Sequence, residues 1–311
     1  MTSGASARVT AASPLDDQPA SRLLMGLLGD YWHGSPAYVP SWALMALLGE
    51  FGINEPAGRA ALSRLSRRGW LQGRRDGRRT AYRVAPERLT AAMAAGRALV
   101  AFGTEPAAWD GEWTCVAFSI PEASRRRRPA LRRRLRALRL GPLFDGLWIT
   151  PRAPLAALDR SLIELGVADA AVFRAREVPR AGGAELLGAW DLAAVRAGYQ
   201  GLVVTLDRLV ALVRRDGVPE ADALVARTDV MARWAALVAS DPGLPAELLP
   251  PDWPLGAARA LVIEAYDALG PRAEARVRTL VGDVGEAAAP RCHRAADRLR
   301  AAATADPESG R

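Results

Sequence analysis

The chain has 311 residues, half of them apolar and 24% charged, which is the balance of a globular protein large enough for two or three domains. Its net charge of +8 favours an anionic partner, although every basic residue is an arginine, which indicates a compositional bias as well. Two cysteines exclude a disulfide scaffold, and the lack of a long apolar run or a secretory signal predicts a cytoplasmic protein without membrane contact.

The N-terminal residues 1–19 are small and polar, and we predict a disordered tail there. The stretch SRLLMGLLGDYW follows, and its leucines at 23, 24, 27 and 28 recur at helical spacing, which predicts one buried face. The next stretch, SWALMALLGEFG, repeats this pattern, with Ser41 as the expected N-cap. The sequence therefore predicts two helices before residue 53.

A third helix is indicated by INEPAG, where Asn54 is suited to capping the free amides and Pro56 to the first turn. Its apolar residues fall on one side. The opposite side carries short side chains edged by arginines: Pro56, Arg59, Ala60, Ser63 and Arg67. A helix with this profile lies close to a polyanion without steric obstruction.

After Gly69 the segments WLQGRR and RRTAYRV predict two strands joined at Asp76-Gly77, a strong hairpin signal. Three helices followed by a basic hairpin predict a winged helix-turn-helix over residues 20–90, which places a helix in the major groove and the wing on phosphates. The residues expected to bind double-stranded DNA are Asn54, Arg59, Ser63, Arg64, Arg67, Arg74, Arg75, Arg78, Arg79 and Tyr82. The alternative is a winged-helix adaptor that binds another protein.

Residues 91–180 contain a linker and then alternate strand and helix, beginning with EWTCVAFSI, which predicts a ferredoxin-like α/β sandwich. The first helix carries a second arginine run, SRRRRPALRRRLRALR, at residues 124–139. Three interpretations of this run stay open: a solvated face, a second phosphate contact, and a contact with the phosphates of a nucleotide-like effector such as coenzyme A.

No catalytic residue, metal or cofactor is expected. The first strand of the sandwich ends at Ser119, where a metal-dependent nuclease would need a carboxylate, and neither His33 nor His293 has a ligand partner nearby in sequence. We therefore predict a protein that is not an enzyme. A nuclease and an acyl-coenzyme A hydrolase remain the enzymatic alternatives.

Residues 181–283 are predicted to form an all-helical domain, and residues 284–311 a flexible tail. Trp190, Tyr199 and Trp253 are candidates for an aromatic effector pocket, with Arg132 and Arg133 as candidates for its phosphates. The alternative for the aromatic residues is the helical core. The predicted fold class is thus α+β, with three domains.

The quoted segments also resemble a known family. The block LGEFGINEPAGRAALSRLSRRGWL, the central WDGEWTCVAFSIPE and LFDGLWITPR, and the later DPGLPAELLPPDWPLGAARALV resemble the PaaX-like family of bacterial phenylacetic acid degradation repressors, in order as well as content.

The resemblance implies a dimeric transcriptional repressor of an aromatic-acid catabolic operon. It implies a central domain shaped like the small nuclease of CRISPR adaptation, and it implies release from the operator by an aryl-coenzyme A thioester. The effector and dimer contacts would lie toward the C-terminal end, in the helical domain of residues 181–283.

Overall fold

A computed structural model gives the architecture of residues 20–77, 79–104, 109–152, 154–176, 185–285 and 288–300. Within these ranges the protein is a mixed helix and sheet structure with two small antiparallel sheets, which confirms the predicted α+β class. The predicted tail at residues 1–19 and the wing residue Arg78 lie outside the described residues. None of the described helices is long and apolar enough to cross a bilayer.

The helices and strands are as follows. The helices are α1 (Ala20–Tyr31), α2 (Ser41–Gly49), α3 (Glu55–Arg67), α4 (Pro86–Ala101), α5 (Arg128–Ala137), α6 (Leu155–Glu164), α7 (Leu192–Arg214), α8 (Glu220–Ser240), α9 (Leu255–Val281) and α10 (Ala295–Arg300). The strands are β1 (Val39–Pro40), β2 (Leu71–Asp76), β3 (Arg79–Val84), β4 (Trp113–Phe118), β5 (Gly141–Phe144), β6 (Leu147–Thr150) and β7 (Ala170–Ala175).

By its internal contacts the chain divides into two compact units. Unit 1 contains Met1–Phe102, Val203–Ala235 and Arg259–Arg311, and unit 2 contains Gly103–Leu202 and Ala236–Ala258. Residues 181–283, predicted as one helical domain, therefore contribute to both units.

The N-terminal half of unit 1 builds a small sheet against three helices. The hairpin strands β2 and β3 pair antiparallel, and β1 adds to the free edge of β3, with Val39 opposite Tyr82. The sequence did not predict β1, because two residues show no alternation. Helix α2 begins at Ser41 itself with Pro40 at the N-cap and no side-chain capping bond, so the predicted Ser41 cap was wrong.

Helix α4 follows the hairpin in a segment that the sequence analysis did not assign to a helix. Its alanine, leucine, methionine and arginine residues are good helix formers, and Pro86 occupies its first turn. Val100 is its one fully buried residue among those described. Because an apolar stripe is nearly missing, the helical period was hard to recognise.

The core of unit 1 combines residues from both ends of the chain. The leucines of α1 and α2 pack in one cluster with apolar residues of α8 and α9, such as Leu224, Leu269 and Val277. Polar contacts reinforce this packing. Arg276 of α9 donates two hydrogen bonds, of 2.7 and 3.0 Å, to the Glu50 carboxylate at the end of α2. The α1–α3 region and the C-terminal helices are therefore one folded body.

Residues 288–300, inside the segment predicted as a flexible tail, are attached to unit 1. The Ala288 carbonyl accepts a 2.8 Å hydrogen bond from Trp32 Nε1, and the Arg291 amide donates a 2.9 Å bond to the Tyr31 carbonyl. These contacts join positions more than 250 residues apart, so local sequence pattern gave no sign of them.

Unit 2 contains a four-stranded antiparallel sheet with strand order β5-β6-β4-β7. Helices α5 and α6 cover one face through leucines that pack on Val116 and Trp148. The other face carries Trp113, Cys115 and Ile149, which pack against the 186–190 segment. Strand β5 was not predicted, since its Gly-Pro start has low strand propensity.

Candidate nucleic-acid interface

Helix α3 begins at a side-chain cap, as predicted. Asn54 Oδ1 accepts a 3.0 Å hydrogen bond from the Ala57 amide, and Pro56 occupies the first turn. The helix lies very close to α2 at Gly58, where an added Cβ would come within 2.6 Å of Met45 Sδ. A glycine at this position therefore allows the close crossing that fixes the orientation of α3.

One side of α3 is buried and the other faces solvent. The buried residues are Gly58, Ala61, Leu62 and Leu65. The exposed residues include all five of the predicted face: Pro56, Arg59, Ala60, Ser63 and Arg67. Arg64 is half-buried at its edge. The exposed surface of α3 therefore has short side chains at its centre and positively charged side chains at its margin.

The arginines of α3 differ in whether their side chains form an ion pair within the protein. Arg59 pairs with Glu55 one turn earlier, and both side chains are more than half exposed. An exposed pair of this kind contributes little to stability, so exchanging the Glu55 carboxylate for another anion would cost Arg59 little. The side chains of Arg64 and Arg67 form no hydrogen bond or ion pair with another described residue. Their charges are available to a ligand.

The hairpin presents further arginines beside α3. Asp76, predicted as part of the turn, is instead the last residue of β2 and pairs with Arg79. Gly77 follows it with φ +57°, a left-handed conformation that suits glycine. The exposed arginines are Arg74, Arg75 and Arg79, while Arg78 falls outside the described part of the chain. Tyr82 is half-buried and lies opposite Gly73. Its ring packs 3.2 Å from where a Cβ on that glycine would sit.

A second group at the base of the hairpin was missed by the sequence analysis. The guanidinium groups of Arg74 and Arg83 lie 4.6 and 4.7 Å from the centre of the Tyr38 ring. Arg83 also donates bonds of 2.9 and 2.8 Å to Gln72 Oε1. Tyr38 adjoins β1, so the pairing of β1 with β3 creates this contact, and the local pattern could not show it. Arg68, exposed just after α3, was also overlooked.

The second arginine run in unit 2 is largely engaged within its own unit. Four of its arginines form ion pairs: Arg125 and Arg128 with Glu122 at 2.9 and 3.8 Å, Arg132 with Asp145 at 3.1 Å and Arg134 with Glu164 at 2.6 Å. Three more are held by backbone carbonyls or a ring: Arg127 by Gly166, Arg139 by Asp241 and Arg136 by Trp148. In the described part of unit 2, Arg126 and Arg133 are exposed without such a contact.

The predicted effector residues lie in unit 2. Trp190 stacks on Trp113 with ring centres 6.3 Å apart. Tyr199 is fully buried and donates a 2.7 Å hydrogen bond to Asp241 Oδ2. Burial raises the pKa of the Tyr199 hydroxyl and the Asp241 charge raises it further, so the phenol stays protonated as a donor. These contacts are those of core residues. Trp253 is half-buried, Arg132 pairs with Asp145, and Arg133 faces solvent.

Ser119, His33 and His293 are the positions that were considered for catalysis or metal binding. Ser119 is exposed after β4, and its amide donates to the Asp169 carbonyl at 2.8 Å. Across the described ranges, no group of three or more His, Cys, Asp or Glu residues is placed to hold a metal ion. His33 and His293, which have no ligand partner nearby in sequence, lie with their ring centres 5.4 Å apart.

The comparisons with known proteins cover all three parts of the chain. Residues 19–88 match the family model described as PaaX-like protein, residues 106–187 the PaaX protein central Cas2-like domain, and residues 190–279 the PaaX-like protein C-terminal domain. The transcriptional repressor PaaX of Escherichia coli (strain K12) is 31% identical over 267 residues, which is 82% of this chain and 81% of that protein.

One solved structure, an uncharacterized protein from Mycobacterium tuberculosis, is 27% identical, with coverage of 83% of this chain and 98% of that chain and a TM-score of 0.49. The three family matches and the relative from Escherichia coli together identify this chain as a member of the PaaX-like family of transcriptional repressors.

Proposed function

We propose that this protein is a sequence-specific DNA-binding repressor that reads its operator with α3. Residues 20–90 would act as a winged helix-turn-helix, with α3 in the major groove and the β2–β3 hairpin as the wing. Asn54, Arg59, Ser63, Arg64 and Arg67 would face base edges and nearby phosphates. Arg74, Arg75, Arg78 and Arg79 would neutralise phosphates, and Tyr82 would support the wing.

The observation that carries this proposal is the exposed side of α3. At its centre stand Ala60 and Ser63, which are too short to hold the helix away from a duplex, and at its margin Arg67 has no partner in the described chain. Arginine is the side chain that meets guanine most often through two hydrogen bonds. A helix that only needed to be soluble would not require this combination.

The architecture supports the assignment. In residues 20–84 the order of elements is helix, strand, helix, helix and hairpin, which is the order of a winged helix-turn-helix. In unit 2 the order β4-α5-β5-β6-α6-β7 and the sheet order β5-β6-β4-β7 are those of a ferredoxin-like sandwich. We assign the first to DNA binding and the second to a non-catalytic scaffold.

Membership of the family supports a proposal for the effector and the assembly. We propose a homodimer that places two α3 helices about 34 Å apart on successive major grooves. An aryl-coenzyme A thioester would release it from the operator of an aromatic-acid catabolic operon. For effective release the ligand must prefer the unbound form by several kcal/mol. The enzyme and adaptor alternatives have no comparable surface feature in their favour.

Selection of bound fragments from random DNA tests the proposal. We expect an enriched palindrome, and weaker enrichment when phenylacetyl-coenzyme A is present. The Arg67→Ala variant should lose about 1–3 kcal/mol of discrimination at one base pair in each half-site, whereas Arg133→Ala should select the same sequence. Failure of the wild-type protein to enrich any sequence would contradict DNA recognition and favour the adaptor.

A further inference from the structure

Unit 1 contains an apolar cavity of about 330 Å³ between α1, α4 and α8. This volume lies at the lower end of the range for small-molecule sites, about 300–1,000 Å³. Each of the three helices contributes one methionine to its wall, namely Met25, Met93 and Met231. Thioether side chains adapt to a flat ring and form favourable sulfur–aromatic contacts. The lining thus suits an aromatic group.

Part of the wall on α1 is bare backbone. Gly26 and Gly29 line the cavity, and a Cβ built on either would meet no atom within 4 Å. Glycine inside a helix costs stability, yet α1 places two of them on the side opposite its buried leucines. Arg22 lies on the same side, is exposed, and has no partner in the described chain. It supplies a positive charge at the rim.

A second cavity of about 630 Å³ adjoins the first, and the two share Trp32, His33 and Gly34. This cavity is more polar, with His293 and Arg291 on its far wall. Tyr31 also lines it and is 1% exposed, and the Arg227 guanidinium lies 5.5 Å from the centre of its ring. The lining of the second cavity thus suits a polar or anionic group.

We propose that the two adjoining cavities form one site for an aryl-acyl thioester. The aromatic ring would occupy the methionine-lined cavity, and the polar, anionic remainder would follow the turn at Trp32 toward Arg291. The proposal rests on the proposed function for the class of ligand, and it places the ligand in unit 1, not at the aromatic residues of unit 2. The complementary polarity of the two cavities commits the site to an amphiphilic occupant.

The location gives such a ligand a direct influence on the DNA-binding surface. The shared turn joins α1 to β1, and β1 pairs with the wing strand β3. Asp30, which borders the first cavity, accepts a 2.8 Å hydrogen bond from the Tyr266 hydroxyl of α9. Arg227 of α8 stacks 3.6 Å above the Tyr266 ring. A ligand that displaces α1 therefore also shifts the wing and the helices that support it.

Methionine-methyl NMR of the full chain, with phenylacetyl-coenzyme A and free phenylacetate as probes, tests the site. The chain has five methionines, so the spectrum is simple. We expect nuclear Overhauser effects from the phenyl protons to the methyls of Met25, Met93 and Met231, and none to Met45, which packs between α2 and α3. Effects confined to Met45, or no binding of either probe, would overturn the proposal.

A cavity-filling variant provides the second measurement. Gly29→Leu adds a side chain at the first cavity, where its Cβ meets no atom within 4 Å, and it should weaken phenylacetyl-coenzyme A binding at least tenfold in calorimetry while the thermal midpoint stays equal or rises. The matched control is Gly201→Leu, an exposed glycine inside α7 with equally open surroundings, which should bind as wild type. Equal affinity of the wild type and Gly29→Leu for phenylacetyl-coenzyme A would contradict the proposed site.

Two further arms separate the possible outcomes. Arg291→Ala should weaken the thioester but not free phenylacetate, since only the thioester reaches the second cavity. If deletion of residues 1–19 shifts the three methyls without a probe, the occupant is the chain itself and the proposal is overturned. Operator binding is measured separately. If the protein binds the ligand in this site but binds no operator, the proposed function is refuted. If it binds an operator but the ligand does not occupy this site, only the site is refuted.

Discussion

The two arginine runs of this chain differ in what their charges do, and the denser run is the less available. Residues 124–139 hold nine arginines, seven of which contact a carboxylate, a carbonyl or a ring within unit 2. The run from Arg59 to Arg83 is more widely spaced, yet Arg64, Arg67 and Arg79 have no such contact with the described residues. Availability to an anionic partner therefore depends on the placement of charges more than on their number.

The largest expected effect is on the run at α3. Ser63→Glu adds bulk and negative charge at the centre of the exposed face, and we expect a loss of operator affinity of about 100-fold or more, since like charges across an interface cost several kcal/mol. Fluorescence anisotropy with labelled operator measures it. Thr90→Glu is the matched control, because Thr90 is an exposed helical position on α4. Equal losses of operator affinity in the two variants would mean that the added negative charge, and not its position on α3, causes the loss.

A smaller effect is expected on the stability of unit 2. Arg139 has a left-handed φ of 65°, and its guanidinium donates to the Asp241 carbonyl in a buried loop. Arg139→Ala would leave that carbonyl without this donor, and we expect a loss of about 1–3 kcal/mol in the free energy of unfolding with operator affinity unchanged. Chemical denaturation measures the first and anisotropy the second. A variant of normal stability that binds DNA weakly would reverse the assignment of this run.

The smallest effect is expected for an exposed ion pair of the same run. Arg134 and Glu164 are each about half exposed, at 50% and 52%, so Arg134→Ala should change the free energy of unfolding by less than about 1 kcal/mol. Glu164→Gln serves as its control and should behave alike. A loss as large as that of Arg139→Ala would show that exposure does not separate structural from available arginines in this chain.

Local pattern predicted the parts of the interface that local chemistry determines. The Asn54 cap and the exposed face of α3 depend on neighbours a few residues away, and their geometry appears in the structure as expected. The basic hairpin was also predicted, but Asp76 ends β2 and pairs with Arg79, so the turn begins at Gly77, one residue later than expected. The register of the leucines in α1 belongs to the same class. Whether these residues bind DNA remains a prediction.

Features that depend on distant segments could not be predicted. Strand β1 exists because β3 offers an edge, and Tyr38 meets two wing arginines only through that pairing. The attachment of the 288–300 segment to α1, and the core that α1 shares with α8 and α9, join the two ends of the chain. Helix α4 lacks an apolar stripe, and because its hydrophobic residues show no clear helical period, the sequence did not predict it.

The salt dependence of operator binding tests the central claim most directly, with one double variant in each run. Each phosphate contact contributes about 0.9 to the slope of log affinity against log salt concentration, so Arg75→Ala with Arg79→Ala should flatten the slope by nearly two. Arg126→Ala with Arg133→Ala, the two exposed arginines of the denser run, should leave slope and affinity at the wild-type values. An unchanged slope in the wing variant, or an equal flattening in the two double variants, would contradict the claim that the arginines of the wing contact the DNA phosphates.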